Sequence, residues 1–328
     1  MRVEWRVAAA VAAVLALPAC GGGKGPSAPA APPTALATPP ADSLASGTVI
    51  QMVSGETGEG VDGANVTVGG RSYTSAGGRV TLAERVPLRA ELDVLAAGML
   101  ERKTLVRDAA TTSFTLWPAR SPTGMDEGYT QAIVYSRLDG AGPLRRLQRE
   151  TSRVVVVPSA DLLADEQAMA SHQEAVDRLT AATGGRVVYV LERQRPASGV
   201  YVDSRLDAAD PTCAARNVLA FAQVFTRSGE IVRGLIVYCD YKVARTSIPS
   251  HEMGHTFGLF HSPDKGELMY AYYNGHGGVD FSPRETLAMK LMLQRPGGNL
   301  YPDDDRAVAA STELQSQVTI CRAEERRY

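Results

Sequence analysis

Hydrophobic and polar residues alternate in short stretches between residues 47 and 118, and each stretch is followed by a glycine-rich or polar turn. Short alternating stretches at such spacing are typical of a small β-sandwich, in which one face of every strand is buried. The pattern predicts strands at 48–53, 64–68, 79–82, 89–96 and 112–116. No catalytic group of residues stands out here. We therefore expect a spacer or folding partner rather than a ligand-binding domain.

The pattern changes to longer elements between residues 125 and 300. The β-branched run Arg153–Val157 predicts a central strand, and helical spacing of apolar residues from Leu162 to Thr183 predicts a long helix ended by two glycines. Further strands are predicted at 186–191, 218–226 and 230–239, and a last helix from 282 or 283 to about 293. The expected fold class is α+β, preceded by the small all-β domain.

Residues 1–19 have the pattern of an export signal. Arg2 and Arg6 precede an apolar run over 7–17 that is too short to span a bilayer as a helix. The run ends in Leu-Pro-Ala-Cys, which resembles a bacterial lipoprotein processing site with Cys20 as the lipidated residue. Residues 20–46 are rich in Gly, Ala and Pro and predict a disordered tether.

This resemblance implies an exported protein of the bacterial cell envelope, attached to a membrane by an N-terminal lipid anchor. The absence of Asp after Cys20 is compatible with the outer membrane. The alternative is a secreted soluble protein that is cleaved nearby.

Composition agrees with an exported globular protein and argues against a nucleic-acid partner. The 328 residues are 44% hydrophobic, enough for a core, and the net charge of -2 comes without a basic stripe. Oxidising conditions outside the cytoplasm make one disulfide plausible among the 4 cysteines. We favour Cys213 with Cys239, which flank two predicted strands and would leave Cys321 over. The sequence alone does not fix this pairing.

The strongest chemical signal is a run that places three of the 5 histidines of the chain within residues 251–261. His251 and His255 lie four apart, on one face of a helix. Gly258 can end that helix, so that His261 swings back as a third ligand. Three imidazoles leave a fourth zinc position for water, as in catalytic sites, and Glu252 can take a proton from that water. A chance His-Glu-x-x-His is common on ordinary helices, but the added glycine and third histidine argue against coincidence.

The run 251–261 resembles the signature of the metzincin zinc metallopeptidases. Leu-Met-Tyr at 268–270 is similar to the matrixin branch, and the resemblance implies that Met269 forms an apolar floor beneath the metal without binding it. Matrixins continue with Pro-x-Tyr, which lines a substrate pocket. Tyr273 keeps the tyrosine, while Ala271 stands in place of the proline.

Other features separate this chain from true matrixins and suggest a divergent bacterial metzincin group. No cysteine-switch propeptide of the matrixin kind precedes the site, and the spare histidines are too few for a second zinc. One catalytic zinc ion is therefore implied. Calcium is possible but unsupported, because Asp203, Asp207 and Asp210 lack calcium-loop spacing. The turns at 60–68 and 74–80 resemble the transthyretin-like carboxypeptidase regulatory domain.

The metzincin resemblance implies an endopeptidase that cleaves extracellular or periplasmic proteins. In such domains an edge strand pairs with the extended substrate. Residues 218–225 are the candidate, with an ordinary interior strand equally open. The competing hypothesis is a surface-attached binding or adhesion lipoprotein with a vestigial or structural zinc site. A weaker third is a hydrolase of non-peptide amides. Substrate identity, latency, the role of the C-terminal tail at 301–328 and oligomeric state stay open.

Overall fold

The computed structural model describes residues 42–138, 142–147, 150–273, 278–306 and 313–324. The expected signal peptide, Cys20 and residues 20–41 of the expected tether lie outside these ranges. Among the helices that the structure does describe, none has the length and apolar character needed to cross a bilayer.

Residues 42–118 form short strands in two larger sheets and one small pair, and the larger sheets share one hydrophobic core. The sheet orders are β5-β2-β9, β4-β3-β7-β8 and β1-β6, with these bounds: β1 (Ser43–Leu44), β2 (Val49–Ser54), β3 (Asn65–Val68), β4 (Arg71–Thr74), β5 (Arg79–Thr81), β6 (Val86–Pro87), β7 (Glu91–Leu95), β8 (Arg102–Leu105) and β9 (Ser113–Leu116).

Four of these strands, β1, β4, β6 and β8, escaped the sequence pattern for physical reasons. β4 lies at a sheet edge with no buried residue, so it lacks apolar alternation. β8 buries Arg102 and Thr104 rather than apolar side chains. Ser43 and Leu44 are buried and pair with β6, so the expectation of a tether running to residue 46 is wrong at its C-terminal end.

The rest of the described chain forms a mixed sheet with helices packed against it. The strand order is β12-β11-β13-β15-β14-β17-β16, and β10 pairs with β15. The bounds are α1 (Glu127–Ile133), β10 (Arg146–Leu147), β11 (Arg153–Pro158), α2 (Ala160–Leu163), α3 (Glu166–Ala182), β12 (Val188–Leu191), β13 (Val200–Leu206), β14 (Val218–Arg227), β15 (Glu230–Tyr238), α4 (Ile248–Phe257), β16 (Tyr272–Tyr273), α5 (Pro283–Met292) and β17 (Gln315–Ala323).

Among the features of this region that the sequence pattern missed, two concern the long helix and the middle of the sheet. The expected long helix is two helices, because the side chain of Asp165 caps α3 by accepting the backbone N–H groups of Gln167 and Ala168. β13 was not predicted, although it lies parallel to β11 and β15 in the middle of the sheet.

The C-terminal residues 301–328 are more than a tail, because they contain β17. This strand pairs antiparallel with β14 and parallel with β16. β14 therefore lies between β15 and β17 and has no open edge. Of the two possibilities for residues 218–225, the structure has the interior strand.

A buried ionic cluster joins the N-terminal strands to the segment after α5. Arg102 contacts Asp303 and Asp305, and Arg295 contacts Asp303. Arg295 also donates to the backbone oxygen of Thr115 on β9. Because each guanidinium faces a carboxylate, the charges are compensated despite their burial.

Candidate metal centre

Helix α4 positions the first two histidines and the glutamate. It begins at Ile248 with Pro249 in its first turn, where a proline costs no hydrogen bond. It ends at Gly258, whose φ of 128° is strained for any other residue. A Cβ on Gly258 would lie 2.5 Å from the backbone oxygen of Arg145. Glycine is therefore required at the turn that returns His261 to the helix.

Gly258→Ala is expected to destabilise the fold by about 2 kcal/mol or more and to weaken metal binding, because the turn must open to relieve the contact. Denaturant unfolding and zinc titration measure both effects. Gly266→Ala is the matched control, since its Cβ would meet Asp264 Oδ1 at 3.4 Å, an ordinary contact. Equal stability of the two variants would contradict this role of Gly258.

The three histidines meet at one point. Their ligand atoms lie within 4.8 Å of one another, and all three side chains are buried. Nε2 of His255 lies 3.0 Å from Nε2 of His251. Nδ1 of His251 donates to the oxygen of Leu268, and Nδ1 of His255 donates to that of Leu259. Because those carbonyls only accept, each proton sits on Nδ1 and the two Nε2 lone pairs face each other.

This arrangement fits a metal ion. Facing lone pairs repel unless a cation lies between them, and two imidazoles on a tetrahedral zinc place their nitrogens about 3.3 Å apart. Burial, followed by the charges of His251 and His261, lowers the pKa of His255 well below its ordinary value. His255 therefore stays neutral, the form that binds metals.

Glu252 lies in the same buried site and has no hydrogen-bond partner among the described residues. It is fully buried, and neither carboxylate oxygen makes a hydrogen bond among the residues described. Burial raises the pKa of Glu252 well above its ordinary value. A buried carboxylate without partners costs stability, so its presence beside the histidines indicates chemistry rather than packing.

Met269 packs directly beneath α4. A Cβ on Gly254 would lie 2.4 Å from the Met269 sulfur, so the turn and the helix are in contact. The preceding Leu268 orients His251 through its carbonyl. The structure thus places Met269 in contact with α4 at Gly254, the residue before His255.

Glu285 holds this turn in place, and sequence reasoning missed it. Its carboxylate accepts the N–H of Met269 at 2.7 Å and that of Ser282 at 2.6 Å. The signal in the sequence was the capping box formed by Ser282 and Glu285 at the start of α5. Burial and then the charge of Glu267 raise the pKa of Glu285 to about 7.

Glu285→Gln should remove the fall in the free energy of unfolding that Glu285 causes between pH 4.5 and about 7. The pKa of Glu285 rises from 4.5 to about 7 on folding, so its contribution is fully present below pH 4.5 and is lost as the pH rises through 7. The glutamine variant has no such titration. Its unfolding free energy relative to wild type should therefore increase between those pH values, by on the order of 3 kcal/mol. Chemical denaturation at several pH values measures this, with the exposed Glu313→Gln as control. A constant difference would contradict it.

Tyr273 lies half-buried on β16 and lines a narrow pocket beside His251, together with Leu268, Tyr270 and Cys321. The pocket has a volume of about 20 Å³, room for one or two water molecules. The pocket is small because side chains from several segments of the protein line it closely.

Two of the cysteines form a disulfide, and the three candidate aspartates form ion pairs. Cys213 and Cys239 form a disulfide, the pair favoured from the sequence, and Cys321 is free and buried. Asp203 pairs with Arg195, and Asp207 and Asp210 pair with Arg205. These carboxylates thus have cationic side chains as partners.

Cys321 lies beside His251 and Glu252, a position that the sequence alone did not indicate. Its sulfur, a ligand atom of His251 and a carboxylate oxygen of Glu252 lie within 4.8 Å of one another. The thiol is carried there by β17, more than sixty residues after the metal helix.

Residues 180–291 match the family model of matrixin, a span that runs from the end of α3 through the three histidines and Met269 to α5. The match supports a metzincin-like metallopeptidase domain in this part of the chain. The match and the histidine group together support zinc as its metal. The chain is also similar to the crystal structure of metalloproteinase-II from Bacteroides fragilis, at 12% identity over 72% of this chain and 93% of that chain, with a TM-score of 0.30. The search of curated proteins found no significant match.

Proposed function

We propose that the protein is a zinc-dependent endopeptidase that hydrolyses peptide bonds of extracellular or periplasmic proteins. The observation that carries this proposal is the convergence of three buried histidines beside Glu252, a buried carboxylate without a partner. A structural zinc site is closed by four protein ligands and has no use for such a carboxylate.

A zinc ion held by the three histidines would polarise a substrate carbonyl and acidify a bound water. Glu252 is the residue that moves the proton. It accepts a proton from the attacking water and delivers it to the nitrogen of the leaving amine. Its burial excludes bulk solvent from this transfer. His251 and His255 keep their orientation because their Nδ1 atoms are held by backbone carbonyls.

The proposed substrate binds as an extended strand beside β14, between that strand and Tyr273. Backbone pairing of this kind selects an unfolded or loop segment of a protein rather than a particular sequence. β17 now pairs with β14 over 218–226, so a substrate must take its place.

We place the enzyme at the bacterial cell envelope, anchored through Cys20. The export signal and the lipoprotein-like sequence that precede Cys20 support this location. Globomycin treatment of cells that express the chain tests it by blocking lipoprotein processing. Accumulation of the unprocessed precursor supports the anchor, and unchanged processing contradicts it.

Peptide-library cleavage by the purified chain tests the proposed activity, with zinc measured on the same sample. We expect internal cleavage that a chelator abolishes and added zinc restores. If both the wild type and the Cys321→Ser variant bind stoichiometric zinc but cleave no peptide, the result contradicts an endopeptidase. It then favours a binding lipoprotein with a structural metal.

A further inference from the structure

Strand β17 occupies the position that the proposed substrate would take. It runs antiparallel to β14 from Thr226 with Gln315 to Ala220 with Cys321, and the register then shifts before Val218 pairs with Arg322. On its other side it runs parallel to β16, the segment that carries Tyr273. The N–H of Ala323 donates to Asn217, and that of Glu324 donates to Tyr273. Backbone pairing on both sides is how an added strand binds a sheet.

The register of β17 places Cys321 beside His251 and Glu252, next to the three-histidine group. Cys321 pairs with Ala220 and is buried, with its sulfur within 4.8 Å of a ligand atom of His251 and a Glu252 oxygen. Sulfur and nitrogen ligands that share a tetrahedral zinc lie about 3.3–3.8 Å apart, from zinc–ligand distances of about 2.0–2.3 Å. The sulfur is not part of the three-histidine group, so a rotation of the Cys321 side chain must bring it into the coordination sphere.

Two further observations favour a ligand role over packing. Cys321 belongs to the hydrophobic core, but its sulfur also lies beside the Glu252 carboxylate, which makes no hydrogen bond to a described residue. Thiolate is also among the strongest protein ligands for zinc. The other two described cysteines form the disulfide, so among the residues described Cys321 is the thiol available to the metal.

We propose that β17 is a built-in pseudo-substrate and that Cys321 is the fourth ligand of the metal in the resting protein. This rests on the proposed function, because the metal is the one that the three histidines would hold. In that state the metal would hold Cys321 as a thiolate, and Glu252 is the neighbouring carboxylate that would take up the thiol proton. The resting protein is therefore latent, and activity requires that β17 leave β14.

Cobalt substitution tests the ligand directly and without reference to activity. The full chain is prepared with Cys20→Ser, so that Cys321 is the one thiol outside the disulfide. Cobalt(II) bound to a thiolate absorbs in the near ultraviolet by sulfur-to-metal charge transfer. We expect this band in the Cys20→Ser chain and its loss on adding Cys321→Ser, with one cobalt bound in both. A bound cobalt ion without the band would overturn the proposal.

Latency is tested by peptidase assays on the same zinc-loaded chains. Cys321→Ser and Thr319→Pro should each raise the initial rate about tenfold or more. The rate is proportional to the fraction of molecules in which β17 has left β14 and the substrate can bind. A proline at 319 has no backbone N–H to donate to the sheet. Position 319 lies in the middle of the part of β17 that pairs with β14. Val318→Ala, at an exposed position of the same strand, is the matched control and should leave the rate unchanged.

The two readouts separate failure of this inference from failure of the proposed function. A wild-type rate equal to that of Cys321→Ser, without the cobalt band, overturns the inference and leaves the endopeptidase intact. Full cobalt occupancy with the band, but no cleavage by any variant, supports the ligand and contradicts the endopeptidase. If Thr319→Pro does not fold, the cleavage rate of Cys321→Ser and the cobalt spectrum still test the proposal.

Discussion

Glu252→Gln should abolish peptide-bond hydrolysis while the chain keeps its zinc. The amide cannot accept the proton of the attacking water, and a general base of this kind contributes about 10²–10⁴-fold to the rate. The histidines are unaffected, because neither carboxylate oxygen of Glu252 bonds to them or to another described residue. Removing a buried carboxylate should also raise the unfolding free energy of the metal-free chain slightly, since burial disfavours its charge.

This comparison is best made both in the wild-type and in the Cys321→Ser background, so that latency does not hide the effect. The readouts are the initial rate of peptide cleavage and zinc per chain. A control is Glu313→Gln, which changes an exposed carboxylate. Cleavage at the wild-type rate in Glu252→Gln with zinc bound would refute the role of Glu252 as general base.

His255→Ala should remove the metal. Two remaining imidazoles cannot hold zinc against the solvent, and since loss of an outer-shell partner alone costs about 10–100-fold in affinity, we expect a loss greater than that. The stabilisation that zinc gives to the folded wild-type chain, about 4 kcal/mol at a thousandfold excess over Kd, should disappear with it. Thermal unfolding with and without chelator therefore differs in the wild type and coincides in the variant.

His172→Asn is the matched control for this experiment. His172 is a buried histidine that bonds to Ala168 O and lies near the hydroxyl groups of Ser204 and Tyr238, within the core. Its replacement should lower stability yet leave zinc stoichiometry at the wild-type value. Loss of zinc from His172→Asn to the same extent as from His255→Ala would show that the effect is general destabilisation.

The sequence was informative wherever function depends on residues close together in the chain. The four-residue spacing of His251 and His255, the glycine at 258 and the return of His261 lie within one helix and its end. Local geometry therefore determines where they point. The same holds for the strands with clear apolar alternation.

The features that the sequence did not reveal depend on contacts between distant segments. β17 has exposed or half-buried polar residues over much of its length, and its partners are strands far away in sequence. Its place in the sheet follows from tertiary pairing, which periodicity does not encode. The position of Cys321 beside His251 follows from that pairing. The support of Met269 by Glu285 likewise joins a turn to a helix cap sixteen residues later.

The central claim is that His251, His255 and His261 hold one zinc ion. Anomalous diffraction at the zinc absorption edge, on crystals of the purified full chain, tests it most directly. The account predicts a single strong peak about 2.0–2.1 Å from one nitrogen of each ring. No peak at this point in a crystal grown with stoichiometric zinc, or rings that point away from one another, would contradict it.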